Sequence, residues 1–436
     1  MDRFVIKGGL PLEGIIEISG AKNSVLPLMI STILTDQEII LDNVPYLSDV
    51  ITLYDLLKNL GIQITVRSRT VVENIYNTDE DALQLILNSS SINNFYSPYS
   101  ITKKMRASFW VLGPLLAKFG QAKVSLPGGC AIGTRQLDLH LDTLRSMGAK
   151  VIIEDGYVIA TVKNKLKGTN FTFSKISVGA TVNAIMSASL AKGQSIFVNC
   201  ACEPEIVDLC RFLVKMGAEI EGIGTNRIVV NGKDSLQGAT HKIIPDRIEI
   251  GTYISAVGLT GGKVTLNGID YSIIENLCHK FIEAGLKILN LSDQSITILS
   301  DKKINPVNIQ TMPYPGFPTD MQAQFMSLMC LSSGESFIVE NIFENRFMHV
   351  PELQRMGASI DIYKNLAKVR GVDKLKGANV MATDLRASVC LVLAGLVAEG
   401  VTTIDRIYHI DRGYSRIEKK LIKCGADIKR ISLDNI

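Results

Sequence analysis

Leu213-Val-Lys-Met-Gly217-Ala-Glu-Ile220 reads as a helix end, a glycine cap and a strand start, and the chain carries five more copies of it. They are Leu57-Lys-Asn-Leu-Gly61-Ile-Gln-Ile64, Leu144-Arg-Ser-Met-Gly148-Ala-Lys-Val151, Phe281-Ile-Glu-Ala-Gly285-Leu-Lys-Ile288, Leu353-Gln-Arg-Met-Gly357-Ala-Ser-Ile360 and Leu421-Ile-Lys-Cys-Gly425-Ala-Asp-Ile428. Glycine just past a helix supplies the left-handed backbone that closes it. The glycines are 87, 69, 68, 72 and 68 residues apart, which divides the 436 residues into six units of about 70. The first interval is 15 to 19 residues too long, and the Asn/Ser-rich run at 84–100 is the expected surface loop carrying the excess.

Every unit also holds a stretch without charge: residues 23–35, 107–117, 176–191, 250–262, 321–334 and 387–398. A helix without a polar stripe is buried on all sides. Most of these stretches lead through glycine into a short strand, as in Gly193-Gln-Ser-Ile-Phe-Val and Gly334-Glu-Ser-Phe-Ile-Val. The fold class is therefore α/β, with helices as the core, sheets as the wall and amphipathic helices ending at the repeated glycines. Charges return at the N-terminal edges of the buried stretches, as Lys22, Arg106, Lys175, Asp320, and Asp384 with Arg386. Helix starts pointing one way would gather N–H groups and dipoles into an anion site. Simple capping is the alternative, and it suits Asp320 after Thr319 and Asp384 after Thr383.

Composition narrows the function classes. A hydrophobic share of 46% and a mean hydropathy of +0.21 provide for sizeable cores. A net charge of +3 gives no broad field for nucleic acid or a membrane surface, so an anion must be met by locally gathered cations. The start, Met-Asp-Arg-Phe-Val-Ile-Lys, has no export pattern, and no uncharged run reaches the roughly 18 residues of a membrane span. A cytoplasmic location is expected. The eight cysteines then read as reduced thiols, and Cys200, Cys202 and Cys210 lack the paired second half of a metal site. No Walker or dinucleotide-type glycine motif occurs, so no cofactor is expected.

Ser125-Leu-Pro-Gly-Gly-Cys130-Ala-Ile-Gly-Thr-Arg135 sets one thiol among three glycines. On its residues alone it is either an ordinary turn with an inert cysteine or a swinging loop whose thiolate Arg135 favours.

With these positions in view, the chain resembles the enolpyruvyl transferases from end to end. The resemblance rests on Ser19-Gly-Ala-Lys-Asn-Ser, Lys104-Met-Arg-Ala-Ser, the Cys130 loop, Ser177-Val-Gly-Ala-Thr and Pro245-Asp-Arg. It continues through Phe317-Pro-Thr-Asp-Met-Gln, Phe343-Glu-Asn-Arg-Phe-Met-His-Val, Met381-Ala-Thr-Asp-Leu-Arg-Ala-Ser and His409-Ile-Asp-Arg-Gly-Tyr. It implies a two-domain inside-out α/β barrel, with domains at 22–245 and at 1–21 plus 246–436. The implied reaction carries the enolpyruvyl group of phosphoenolpyruvate to the 3'-hydroxyl of UDP-N-acetylglucosamine and releases phosphate, the first committed step of bacterial peptidoglycan synthesis. Cys130 is then the acid that protonates the vinyl carbon and the thiol alkylated by fosfomycin. Asp320 matches the candidate base, and Asp384 a carboxylate that either moves a proton or positions its neighbours.

The same resemblance gives phosphoenolpyruvate to Lys22, Arg135 and Arg412, with Arg106, Arg346 and Arg386 beside them. The nucleotide sugar falls to Asn23, to Arg135, Gln136, Leu137, Asp138 and Leu139, to Lys175, Ile176, Ser177, Val178 and Gly179, and to Asp320 and Ile342. His140 and His409 read as structural histidines. Two rivals stay open: transfer to shikimate 3-phosphate, whose enzymes are expected to lack the loop thiol, and a non-catalytic nucleotide-sugar-binding paralogue.

Overall fold

The computed structural model describes every residue except 1, 69–70, 73–74, 76–81, 129–136 and 433–436. The described residues form two compact units, one from residues 20–244 and one combining the segment up to Ser19 with Pro245–Ile436.

All six repeated glycines stand where the sequence requires left-handed backbone, with φ between 91° and 103°. They close the helices Ser48–Leu60, Asp138–Ser146, Pro204–Lys215, Glu275–Glu283, Val350–Arg355 and Ile417–Lys423. The closure is the same each time: the residue after the glycine donates its N–H back across the last turn. Ile62 reaches the Leu57 carbonyl at 3.0 Å, Ala218 reaches Leu213 at 2.9 Å and Ala426 reaches Leu421 at 3.1 Å.

Each unit has three sheets, and all six share one pattern. An edge strand runs parallel to its neighbour, and two antiparallel strands follow. Asn170–Thr172 lies parallel to Gln194–Val198, which pairs antiparallel with Arg227–Asn231 and through it with Glu219–Glu221. In the other unit the N-terminal strand Asp2–Lys7 lies between Val401–Asp405 and Asp427–Ser432, with Phe4 opposite both Ile404 and Arg430.

The charge-free stretches are the buried helices. In one unit they are Lys22–Ser31, Leu112–Phe119 and Val178–Ala188, and in the other Arg247–Thr260, Gln322–Met329 and Val389–Gly395. The last three are buried along their whole length and pack on one another pairwise. Small residues permit this closeness: a Cβ on Gly258 would lie 2.8 Å from the Leu328 side chain. Each unit has one hydrophobic core, and the sheets keep an outer face on which Ile153, Leu291 and Tyr363 are exposed. No described helix is long and apolar enough to cross a membrane.

The expected surface loop at 84–100 is corrected. Ala82–Asn88 is an inner strand of a five-stranded sheet, with Leu83, Leu85 and Leu87 buried beneath it. Tyr96–Ser97 is a further strand and Tyr99–Thr102 a helical turn. Twelve residues of the excess instead lie at 68–81, the 14 residues joining Gln63–Arg67 to Ala82–Asn88, where the equivalent hairpin has only the two residues Asp155-Gly156. The polar run after Asn88 masked the alternation that precedes it.

Candidate functional site

In the unit carrying residues 245–436, each buried helix begins at an aspartate. Asp246 caps Arg247–Thr260, accepting from the Ile248 and Glu249 N–H groups at 2.9 and 3.1 Å. Asp320 sits in the turn Thr319–Met321 that opens Gln322–Met329. Asp384 accepts from the Arg386 and Ala387 N–H groups at 3.0 and 2.8 Å, just before Val389–Gly395.

Two buried arginines tie these starts together. Arg386 donates to Asp246 at 2.7 Å and to the Gly413 carbonyl at 2.8 Å, with its guanidinium over the Tyr414 ring. Arg346 donates to Asp320 at 2.9 Å and lies 3.8 Å from Asp384. Burial opposes a charge on Arg346, yet Asp320 and Asp384 more than offset it and raise its pKa. The converse holds at Asp384: burial pushes its carboxyl up, but Arg346 and the two N–H donors bring it below the ordinary carboxylate range. Asp320 is the more accessible carboxylate, with a side chain 25% exposed against 9% for Asp384. Gln324 fixes the Asp320 backbone, donating to its carbonyl at 2.8 Å and to the Tyr414 hydroxyl at 3.0 Å.

Arg412 ends the 3-10 turn Ile407–Arg412 and is half-buried. His409 lies in the same turn, its pKa lowered by burial and then by Arg412, which suits a neutral structural ring. Ile342 donates its N–H to the Glu340 carboxylate at 2.9 Å. A cavity of about 690 Å³ in this unit, lined by Arg247, Lys280, Asn308, Tyr314 and Phe317 among others, includes no carboxylate and none of the predicted site residues.

In the unit of residues 20–244, cations mark the helix starts instead. Lys22 is the first residue of Lys22–Ser31 and pairs with Asp49 at 2.6 Å, both nearly buried. Asn23 follows, half-buried, and the Ser24 hydroxyl donates to Asp208, which also meets His241 at 2.8 Å. Arg106 opens the 3-10 turn Arg106–Val111, which packs on both Lys22–Ser31 and Val178–Ala188. Burial, and then Arg106, push His140 down to about 3, so the ring is neutral, edge-on to Phe109 and 3.3 Å from the Asn183 amide.

Lys175 and Ile176 are exposed ahead of Val178–Ala188, whose start Ser177 caps by accepting from the Ala180 N–H at 3.3 Å. Val178 and Gly179 are half-buried, and a Cβ on Gly179 would fall 2.9 Å from the Trp110 indole nitrogen. Leu137 is half-buried, Asp138 exposed and Leu139 buried at the start of Asp138–Ser146. Cys130, Arg135 and Gln136 lie outside the described residues. Cys200 and Cys210, the buried members of the tightest cysteine group, are pushed up to about 12 by burial and stay thiols.

The structure thus joins Asp320, Asp384, Arg346 and Arg386 in one network, and sets Lys22, Arg106 and Lys175 at or before the starts of the three helices of the other unit. Sequence reasoning missed Asp246, Asp49, Gln324 and Glu340. Only Asp246 carried a signal, as an aspartate just ahead of a buried helix.

A family profile described as EPSP synthase (3-phosphoshikimate 1-carboxyvinyltransferase) matches residues 6–421. The UDP-N-acetylglucosamine 1-carboxyvinyltransferase of Rickettsia felis is 56% identical over 431 residues, covering 99% of this chain and all of the relative. The protein of that name from Rickettsia akari is 57% identical over the same span. Among solved structures, the enolpyruvyl transferase NikO from Streptomyces tendae is similar with a TM-score of 0.85 at 22% identity, over 98% of each chain. EPSP synthase from Acinetobacter baumannii is similar with a TM-score of 0.73 at 15% identity, over 99% of this chain and 100% of that one.

Proposed function

The chain belongs to the EPSP synthase family of enolpyruvyl transferases, and from that premise we propose that it transfers the enolpyruvyl group of phosphoenolpyruvate to the 3'-hydroxyl of UDP-N-acetylglucosamine, releasing phosphate. The observation that carries the acceptor assignment is full-length identity of 56–57% to proteins named for that reaction. We place the reaction in the cytoplasm, as an early step of cell-wall synthesis.

Addition followed by elimination needs an acid over the vinyl CH2, a base for the attacking hydroxyl and cations for phosphate and carboxylate. We assign the acid to Cys130 and the base to Asp320, the accessible carboxylate of its network. The hydroxyl oxygen bonds to C2 as the CH2 takes a proton; a methyl proton and phosphate then leave and restore the vinyl group. Asp384 has one oxygen engaged by two N–H donors with Arg346 3.8 Å from the same atom, and its carboxyl is held below the ordinary range, so it is assigned to holding the network rather than to moving a proton. Lys22, Arg135 and Arg412 are assigned to the phosphoenolpyruvate charges, aided by Arg106, Arg346 and Arg386. Asn23, residues 135–139, residues 175–179 and Ile342 are assigned to the nucleotide sugar. The domains are assigned to 22–245 and to 1–21 with 246–436.

Phosphate release from phosphoenolpyruvate tests this reading. Release is expected with UDP-N-acetylglucosamine and not with shikimate 3-phosphate. Release with neither, or only with the second, defeats it.

A further inference from the structure

We propose that Glu340 is a positioning residue that locks the acceptor-sugar contact at Ile342 to the base at Asp320; this rests on the function proposed above. Glu340 follows the strand Glu335–Val339 and is 2% exposed. One carboxylate oxygen gathers the Thr311 hydroxyl at 3.0 Å, the Ile342 N–H at 2.9 Å and the Phe343 N–H at 3.1 Å. The other accepts the Thr319 hydroxyl at 2.9 Å. Thr319 is the residue before Asp320 and opens its turn. One buried side chain therefore fixes both the backbone at Ile342 and the approach to Asp320.

Four donors converge on the carboxylate, three at one oxygen and one at the other, so the side chain is tied to the backbone at Ile342 and to Thr319 together. Its role is to hold. The Thr311 hydroxyl extends the brace by accepting the Asn341 N–H at 2.9 Å, so the turn at Asn341 is held at both ends. Against the burial that opposes it, the Arg346 cation is favoured by Asp320 and Asp384 and then by Glu340. A carboxylate here thus supports the partner of the base as well as its backbone. A displacement of about 1 Å at such a brace is enough to slow a positioned reaction severely.

Steady-state kinetics of three variants test the link, alongside thermal denaturation. Thr319→Val removes one hydroxyl and is expected to lower kcat about threefold to tenfold while leaving the KM for phosphoenolpyruvate within about twofold. Glu340→Ala is expected to raise the KM for UDP-N-acetylglucosamine about tenfold or more and to lower kcat as well. Glu340→Gln is the rescue: its carbonyl can keep the three donors at one oxygen while its amide donates to Thr319, restoring both constants to within about threefold.

A Glu340→Ala protein with a lowered melting temperature but unchanged acceptor KM and kcat per folded molecule overturns the proposal. So does Glu340→Gln no better than Glu340→Ala. Should Glu340→Ala not fold, Thr319→Val decides, and an unchanged kcat overturns the link. If wild-type protein releases no phosphate with UDP-N-acetylglucosamine, it is the proposed function that fails; calorimetric affinity for that nucleotide sugar then tests the brace, a loss of about tenfold in Glu340→Ala or, if that does not fold, Thr319→Val supporting it and no change overturning it.

Discussion

The helix starts of the two units are built on one scaffold and decorated in opposite ways. In the unit of residues 245–436 each buried helix begins at an aspartate, which the helix dipole favours, and arginines from elsewhere supply the balance. In the unit of residues 20–244 two helices open on a cation, Lys22 and Arg106, where the dipole disfavours it, and Lys175 precedes the third. The first arrangement is near its own electrostatic optimum and leaves one carboxylate accessible. The second sets cations at or near positive helix ends, where Asp49 offsets Lys22. The lesson is that a repeated fold can divide its charges, carboxylates at the core-helix starts of one unit and cations at those of the other, by changing a few residues.

The largest effect that could break this contrast is at the two buried cations. Arg386→Met leaves Asp246 without its charged partner and is expected to cost about 3–5 kcal/mol in urea denaturation. Lys22→Met likewise takes the cation from buried Asp49, but it also relieves an unfavourable helix start, so its cost should be smaller, about 2–3 kcal/mol. A larger loss at Lys22 would contradict the division.

Acid stability comes next. Burial, and then Arg106, hold His140 at about 3, and burial holds His349 at about 4, Asp384 opposing and Arg346 assisting. Both lie below the ordinary 6.5, so the unfolded chain binds these protons first as pH falls. Their contribution is full above pH 6.5, declines below it, and levels off near pH 4 for His349 and near pH 3 for His140. Each is worth on the order of 3 kcal/mol, read as the slope of denaturation free energy between about pH 7 and 4.5. His140→Gln and His349→Gln should each flatten that slope; a slope unmoved by either would remove the electrostatic part of the comparison.

The smallest effect tests the shared scaffold. Gly217 and Gly357 have φ of 96° and 93°, and a Cβ at either would touch nothing within 4 Å. Gly217→Ala and Gly357→Ala should therefore cost the same, about 1 kcal/mol each, from backbone strain alone. Unequal costs by thermal or urea denaturation would show that the repeats differ in scaffold and not only in decoration.

The scaffold was legible because it rests on local requirements. A left-handed residue after a helix calls for glycine, and a helix with no polar stripe has nowhere to go but inside, so Gly61 to Gly425 and the six charge-free stretches announced themselves. Much of the network around Asp320 depends on distant partners. Gln324 meets Tyr414 across 90 positions and Arg386 meets Asp246 across 140, with no local pattern to signal either. Asp49 sits at the start of an outer helix, where its own sequence marks it only as a first-turn acid. The segment at 84–100 failed for a different reason: serines and asparagines after Asn88 drew attention from the Leu83, Leu85, Leu87 alternation that makes it a strand.

The N-terminal strand Asp2–Lys7 is clasped between Val401–Asp405 and Asp427–Ser432. On a ribosome this strand must therefore wait for partners made about 400 residues later, as Phe4 opposite Ile404 shows. Residues 20–244 can close their own core while synthesis continues, but the unit that holds Asp320 cannot complete this sheet until Asp427–Ser432 has emerged. That makes the sheet sensitive to premature termination: a stop codon just before Asp427 would leave one edge of Asp2–Lys7 unpaired, with Phe4 and Ile6 at risk of aggregation.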